Sequence, residues 1–174
     1  MLQWTELDIS AGDGLRLRLV ASDWGIRAIN FDGGGPADGR RNDDHPLLFA
    51  AARQLQAYFA GELTQFQLPL DMQGTEFQKR VWNALQTIPY GETRSYRQIA
   101  ELLEQPSAVR AVGAANGSNP IPIVVPCHRV IGANGKLVGY GGGLPLKRRL
   151  LDLEWHYRGR LLFAAPVLNP VLGD

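Results

Sequence analysis

The period of the apolar residues changes near residue 73, and this change limits the chain to a strand-bearing first part and a helical second part. Before it, Leu15-Arg16-Leu17-Arg18-Leu19 alternates with period two, Ser22-Asp23-Trp24-Gly25 supplies turn chemistry, and Ile26 to Phe31 forms a second strand. Together these read as a hairpin. Residues 33–44, opened by Gly33-Gly34-Gly35-Pro36, read as a loop. A helix fits residues 46–60, with Leu48, Ala51, Leu55 and Phe59 on one face, Pro46 at its start and Gly61 past its end. Residues 63–70 fit a returning strand.

After the change, Thr75 and Gln78 form a capping box, and Phe77, Val81, Trp82, Leu85 and Ile88 mark a helical face that Pro89-Tyr90-Gly91 ends. Residues 95–103 give a short helix with Ile99, Ala100 and Leu103 inward. Gln105-Pro106-Ser107 gives a turn, and residues 108–116 give a third helix. Two short helices around a tight turn suggest a helix-turn-helix unit. The third helix is built from Ala108, Ala111, Gly113, Ala114 and Ala115, with Arg110 its only charge. Small side chains suit a tightly packed core helix. They equally suit a helix whose main-chain N–H groups approach phosphates, and Arg110 is either a surface ion-pair partner or a DNA contact. A last helix follows Pro145, with Leu146, Leu150, Leu151 and Leu153 at helical spacing. The expected organisation is an α/β lobe at 1–73, a mostly α lobe at 74–160 and an irregular tail at 161–174.

Net charge is only +1 over 174 residues, but it is unevenly placed. Residues 1–73 carry 6 Lys+Arg against 10 Asp+Glu, whereas residues 74–174 carry 12 against 7. A basic second half suits a DNA-binding lobe on an acidic support, and also an ordinary solvated surface. The chain shows no apolar run of about 18 residues and no leader pattern, so a soluble, cytoplasmic protein is expected.

Cys127 is the only cysteine, and it follows the apolar run Ile121-Pro122-Ile123-Val124-Val125 within Pro126-Cys127-His128-Arg129-Val130. A single thiol excludes a disulfide scaffold and argues against a zinc site of several cysteines. It leaves buried packing, redox chemistry or nucleophilic attack. An unperturbed thiol is only about 3% ionised at neutral pH, so a nucleophile needs a base or a positive field, for which His128 and Arg129 are candidates. Pro126 stops any strand ladder there, so Cys127 is expected to begin a turn out of the core.

The surrounding text, Gly117-Ser118-Asn119-Pro120 before the pair and Ile131-Gly132 through Gly139-Tyr140-Gly141-Gly142-Gly143 after it, resembles the O6-alkylguanine-DNA alkyltransferases, the methylated-DNA–protein-cysteine methyltransferases. The likeness runs from about Thr75 to Glu154. It implies a ribonuclease-H-like first lobe with a small antiparallel sheet and a helix, then a winged-helix-like second lobe. It implies irreversible, single-turnover transfer of an alkyl group from O6-alkylguanine, or O4-alkylthymine, in duplex DNA to Cys127 after base flipping. By the resemblance, His128 is the base, acting through water, and Glu154 orients it. Tyr96 assists the leaving guanine, Lys147 supports Tyr96, and Asn119 is a hinge. Arg110 enters the duplex, with Ala111, Ala115, Gly113, Gly117, Ser95, Arg97 and Arg129 at the DNA. Tyr96, Cys127, Val130, Gly141 and Gly142 surround the base. Gly141 stands where some family members have serine, which bears on alkyl-group size. No metal or organic cofactor is implied, and the protein is expected to act as a monomer. A rival of another class is a non-catalytic damage-sensing protein on the same scaffold, which would lack the reactive cysteine.

Overall fold

A four-stranded ladder and one helix across it organise the first part of the structure, a computed structural model that describes residues 1–9, 14–35 and 38–159. The expected tail at 161–174 lies outside the described residues. The hairpin forms as the alternation requires: β2 (Leu15–Ala21) pairs antiparallel with β3 (Ile26–Phe31), with Leu17 opposite Phe31 and Leu19 opposite Ile29. A further strand, β1 (Gln3–Ile9), pairs with the other edge of β2 and turns Thr5, Leu7 and Ile9 inward. The two-residue β4 (Arg40–Arg41), inside the expected loop, adds to β1 in parallel. The order is therefore β3-β2-β1-β4, and the sheet is mixed rather than wholly antiparallel.

Helix α1 (Pro46–Phe59) buries Leu48, Ala51, Leu55 and Tyr58 against this sheet. Gly61 follows at φ 73°, and a Cβ there would come within 2.6 Å of the Tyr157 ring. Only glycine allows that approach. The expected strand at 63–70 does not form. Ile26 donates its N–H to Pro69 O at 2.8 Å and makes a single bridge to Leu70, but Pro69 has no N–H with which to extend a ladder.

In the second part, α2 (Glu76–Leu85) starts with both bonds of its capping box, from Gln78 N to Thr75 Oγ1 at 3.1 Å and from Thr75 N to Gln78 Oε1 at 2.9 Å. Helix α3 (Tyr96–Leu102) repeats the device with Ser95 and Gln98. Helix α4 (Val109–Gly117) packs on both, and the Trp82 indole donates to Ala115 O at 2.8 Å. Two short parallel strands, β5 (Arg94–Ser95) and β6 (Val130–Ile131), and helix α5 (Leu144–Tyr157) complete the described elements.

One apolar core runs through both parts, from Leu7 in β1 to Leu150 in α5. The exposed edge of the sheet is closed by the second part, because Ile29 of β3 donates its N–H to Pro120 O at 2.9 Å. An unpaired edge N–H is thereby satisfied at the entrance to the Cys127 segment. Replacing Thr75 by alanine removes the α2 cap, so we expect a loss of about 1 kcal/mol of stability. Urea unfolding of Thr75→Ala beside the wild type checks this, and equal midpoints would refute it.

Candidate active site

The apolar run before Cys127 forms a buried turn rather than a strand. Val125 N returns to Ile121 O at 2.9 Å, and Asn119 clamps the turn by accepting from Ile121 N at 3.0 Å and donating to Val125 O at 2.8 Å. Inside it, Ile123 holds φ 73°, a left-handed conformation that costs a β-branched residue on the order of 1–3 kcal/mol. Packing holds it there, since Ile121, Ile123 and Val125 are all buried. A single 3-10 turn, Cys127–Arg129, then turns Cys127 to one side and His128 and Arg129 to another.

Cys127 faces a cavity of about 560 Å³, bounded by Val109, Gly113 and Gly117 of α4, Asn119 and Pro122 of the turn, Tyr96, and the segment 138–141. Its volume is in the range of ordinary ligand pockets. The thiol is 5% exposed. Burial raises its pKa, and neither a hydrogen bond from Asn119 nor the Lys147 charge fully offsets this, so it is pushed up to about 11. It is a neutral thiol at rest.

His128 and Arg129 point away from the cavity, and both meet Glu154 of α5. Glu154 Oε1 accepts from Tyr58 Oη at 2.7 Å, from His128 Nε2 at 2.6 Å and from Arg129 Nη2 at 3.0 Å. Its Oε2 accepts from Arg129 Nε at 2.9 Å and from the Gly91 N–H at 3.2 Å. Burial alone would raise the Glu154 pKa, but His128 and Arg129 outweigh it and hold the carboxyl at about 2. An ionised carboxylate only accepts, so His128 Nε2 must carry hydrogen. Burial depresses the imidazole pKa despite the attraction of Glu154, and Arg129 already neutralises that carboxylate. The ring is therefore neutral, which leaves Nδ1 as a lone pair. Nδ1 is buried and has no hydrogen-bond partner among the described residues.

Two further groups meet at one carbonyl. Tyr96 Oη donates to Val138 O at 3.1 Å, and the buried Lys147 Nζ donates to the same oxygen at 3.2 Å and to Gly139 O at 3.3 Å. Burial and the nearby Cys127 raise the Tyr96 pKa, so its hydroxyl keeps its proton at neutral pH. Cys127, His128, Glu154, Tyr96, Asn119 and Lys147 are thus gathered into one place.

The other expected site residues divide. Gly113, Gly117 and Gly141 line the cavity, and Arg110 and Ala111 lie on the exposed side of α4. Ser95 caps α3 through the Gln98 N–H at 3.0 Å, and the exposed Arg97 pairs with Glu101 at 3.1 Å. Four expectations are corrected. Arg129 is 7% exposed and spends its guanidinium on Glu154 and on Ile88 O, so it is no DNA contact. Ala115 faces the core beside Trp82. Val130 pairs with Arg94 in β6 and is absent from the cavity wall, as is Gly142, which packs on Leu146. The sequence reading missed Tyr58, Phe31 and Asn116, whose Nδ2 donates to Cys127 O at 3.4 Å. Only Tyr58 carried a signal, being three residues beyond Leu55 on the apolar face of α1.

A buried thiol facing a cavity, followed in sequence by a neutral imidazole that an ionised carboxylate holds, is the kind of site that a protein using a cysteine nucleophile requires. Residues 76–156 match the 6-O-methylguanine DNA methyltransferase DNA-binding domain, and residues 16–72 match the ribonuclease-like domain of the same proteins. A methylated-DNA–protein-cysteine methyltransferase of Mycolicibacterium paratuberculosis is 69% identical over 112 residues, 64% of this chain and 68% of that relative. The crystal structure of the Mycobacterium tuberculosis O6-methylguanine methyltransferase superposes with TM-score 0.81 at 47% identity, covering 90% of this chain and 94% of that one. An M. tuberculosis OGT solved in complex with DNA gives TM-score 0.78 at 48% identity, over 90% and 93% of the two chains. The chain belongs to the methylated-DNA–protein-cysteine methyltransferase family.

The Glu154 cluster predicts acid sensitivity. The carboxyl pKa falls from 4.5 to about 2 on folding, so its stabilisation is complete above pH 4.5 and is lost as pH falls towards 2. The shift corresponds to about 3 kcal/mol. His128, buried neutral, acts in the same direction below its ordinary 6.5, because the unfolded chain takes up the proton more readily. Glu154→Gln leaves Arg129 charged and unpaired in the core, for an expected loss of about 3–5 kcal/mol. Unfolding midpoints across pH 2–7 check both, and a Glu154→Gln variant as stable as the wild type, with the same acid limb, would refute the assignment.

Proposed function

We propose that this chain repairs alkylated DNA by direct reversal, taking the alkyl group of O6-alkylguanine, or of O4-alkylthymine, onto Cys127 once per molecule. The observation that carries the reading is Cys127 facing a cavity bordered by α4, with the next residue, His128, held by Glu154 through Nε2–H so that its basic Nδ1 is left without a partner among the described residues. Residues 1–73 act as the supporting lobe and residues 74–160 as the lobe that binds DNA and holds the site. The protein acts as a monomer in the cytoplasm. No helix among the described residues is long and apolar enough to cross a membrane.

On double-stranded DNA the exposed side of α4, with Ala111 and Ala114 beside Arg110, lets the backbone come close to the duplex. Arg110 takes the place of the base that leaves the stack, its flat guanidinium suiting both stacking and hydrogen bonding. Extruding the base costs a few kcal/mol, least for a poorly paired lesion. The lesion then enters the cavity between Tyr96 and Cys127.

In the transfer, Sγ forms a bond to the alkyl carbon as the bond from that carbon to O6 breaks. The thiol proton passes through a bridging water to His128 Nδ1, and Glu154 stabilises the imidazolium that results. The electron pair of the broken bond moves into the guanine ring. Tyr96 donates a hydrogen bond, or its proton, to that charge, while Lys147 holds the 138–139 carbonyls and adds positive field. Once the guanine anion takes up a proton, from Tyr96 or from water, and His128 gives its extra proton back to solvent, the products are ordinary guanine and an S-alkyl cysteine. A damage-sensing role alone gives no reason to keep a thiol, a base and an orienting carboxylate in line.

Intact mass after incubation with a duplex carrying one O6-methylguanine tests this. We expect one added methyl, saturating at one per protein, with none on Cys127→Ala. Tyr96→Phe should bind the duplex but transfer roughly 10²-fold more slowly. Tight binding without any mass gain would replace transfer by damage sensing.

A further inference from the structure

The cavity beside Cys127 has one wall that does not come from the second part of the chain. Phe31, the last residue of β3, lines it from the first lobe. Its place is fixed from both sides. Two residues earlier, on the same face of the strand, Ile29 N is bonded to Pro120 O at 2.9 Å, next to the Asn119 clamp. Immediately after it the chain turns at Asp32 with φ 54°, held by Asp32 N to Arg16 O at 2.7 Å and Gly34 N to Phe31 O at 2.9 Å.

The Phe31 ring packs on the glycine-rich segment opposite Cys127. It lies 5.7 Å from the Tyr140 ring at an interplanar angle of 56°. A Cβ added at Gly142 would come within 3.3 Å of Phe31 Cδ2 and Cε2, and one at Gly141 would come to 4.0 Å. Behind this contact is a second cavity of about 240 Å³, bordered by Asp32, Gly142, Pro145 and Leu146. Phe31 and Gly141 face the first cavity, while Asp32 and Gly142, the residues that follow them, face the second. The two cavities are bordered by consecutive residues of this pair of segments, and Phe31, packed beside Tyr140, is the side chain that the first lobe places there.

We propose that Phe31 is the specificity-determining residue for alkyl-group size, the wall against which the group on O6 must fit as it meets Cys127. The inference rests on the transfer reaction proposed above. Gly141 adds no side chain of its own, so the limit on that side is set by the first lobe. Shortening Phe31 opens the first cavity towards the second, and bulky groups gain more from that space than methyl does.

The experiment follows mass gain over time for the wild type, Phe31→Ala and Phe31→Leu with duplexes carrying O6-methyl-, O6-ethyl- or O6-benzylguanine. The readout is the rate ratio of benzyl to methyl within each protein, which cancels changes in active fraction. We expect the ratio to rise by about tenfold or more in Phe31→Ala, the scale on which an apolar wall discriminates. Phe31→Leu, which keeps most of the core contact and tests the idea if the alanine variant does not fold, should give a smaller rise. Equal ratios in all three proteins, or rates that fall in proportion for every duplex, would overturn the proposal and leave Phe31 as packing. Absence of methyl transfer by the wild type would instead remove the reaction on which it rests.

Discussion

A carboxylate with five hydrogen bonds in the core is the constraint on which the site depends. Glu154 is 0% exposed and carries charge, which is tolerable only because Arg129 grips it in two places and Tyr58, His128 and the Gly91 N–H take its remaining lone pairs. This pairing decides the protonation of His128. With the carboxylate already neutralised by Arg129, the imidazole need not be a cation. With Nε2–H committed to Glu154, its basic lone pair is forced onto Nδ1. The same cluster joins α1, the 3-10 turn and α5, so the chemistry and the packing of three elements rest on one group.

The first lobe takes part in the site rather than only supporting it. Tyr58 reaches from α1 to Glu154, β3 meets the active-site turn at Pro120, and Phe31 forms part of the cavity wall. A continuous core makes these contacts rigid. The high pKa of Cys127 follows from the same dense packing, which keeps the thiol neutral at rest.

What was legible in the sequence was what local rules encode. The β2–β3 hairpin, α1 and the Thr75 capping box depend on alternation, on a proline start and on one Thr/Gln pair, and each formed where those signals lie. Strand β1 was missed although Thr5, Leu7 and Ile9 alternate, because a polar Thr5 beside Trp4 blurs the pattern. The 63–70 segment is apolar enough for a strand, but Pro69 denies it a ladder. In the site, the Cys127-His128 pair was readable as a candidate nucleophile and base. The direction of Arg129 was not, because a 3-10 turn separates neighbouring side chains by about a third of a revolution. Tyr58 meets Glu154 across 96 residues of sequence, and Phe31 meets Tyr140 only through the docking of two lobes. The apolar face of α1 marks Tyr58 as buried, but no local pattern encodes either contact.

The state of the His128 ring in the free protein, read by nitrogen-15 NMR of histidine-labelled protein between pH 7 and 8, tests this arrangement most directly. A neutral ring with hydrogen on Nε2 and a bare Nδ1 is expected there, because burial depresses the imidazole pKa below its ordinary value. An imidazolium, or hydrogen on Nδ1, would contradict it, because Glu154 would then not be setting the base that Cys127 requires.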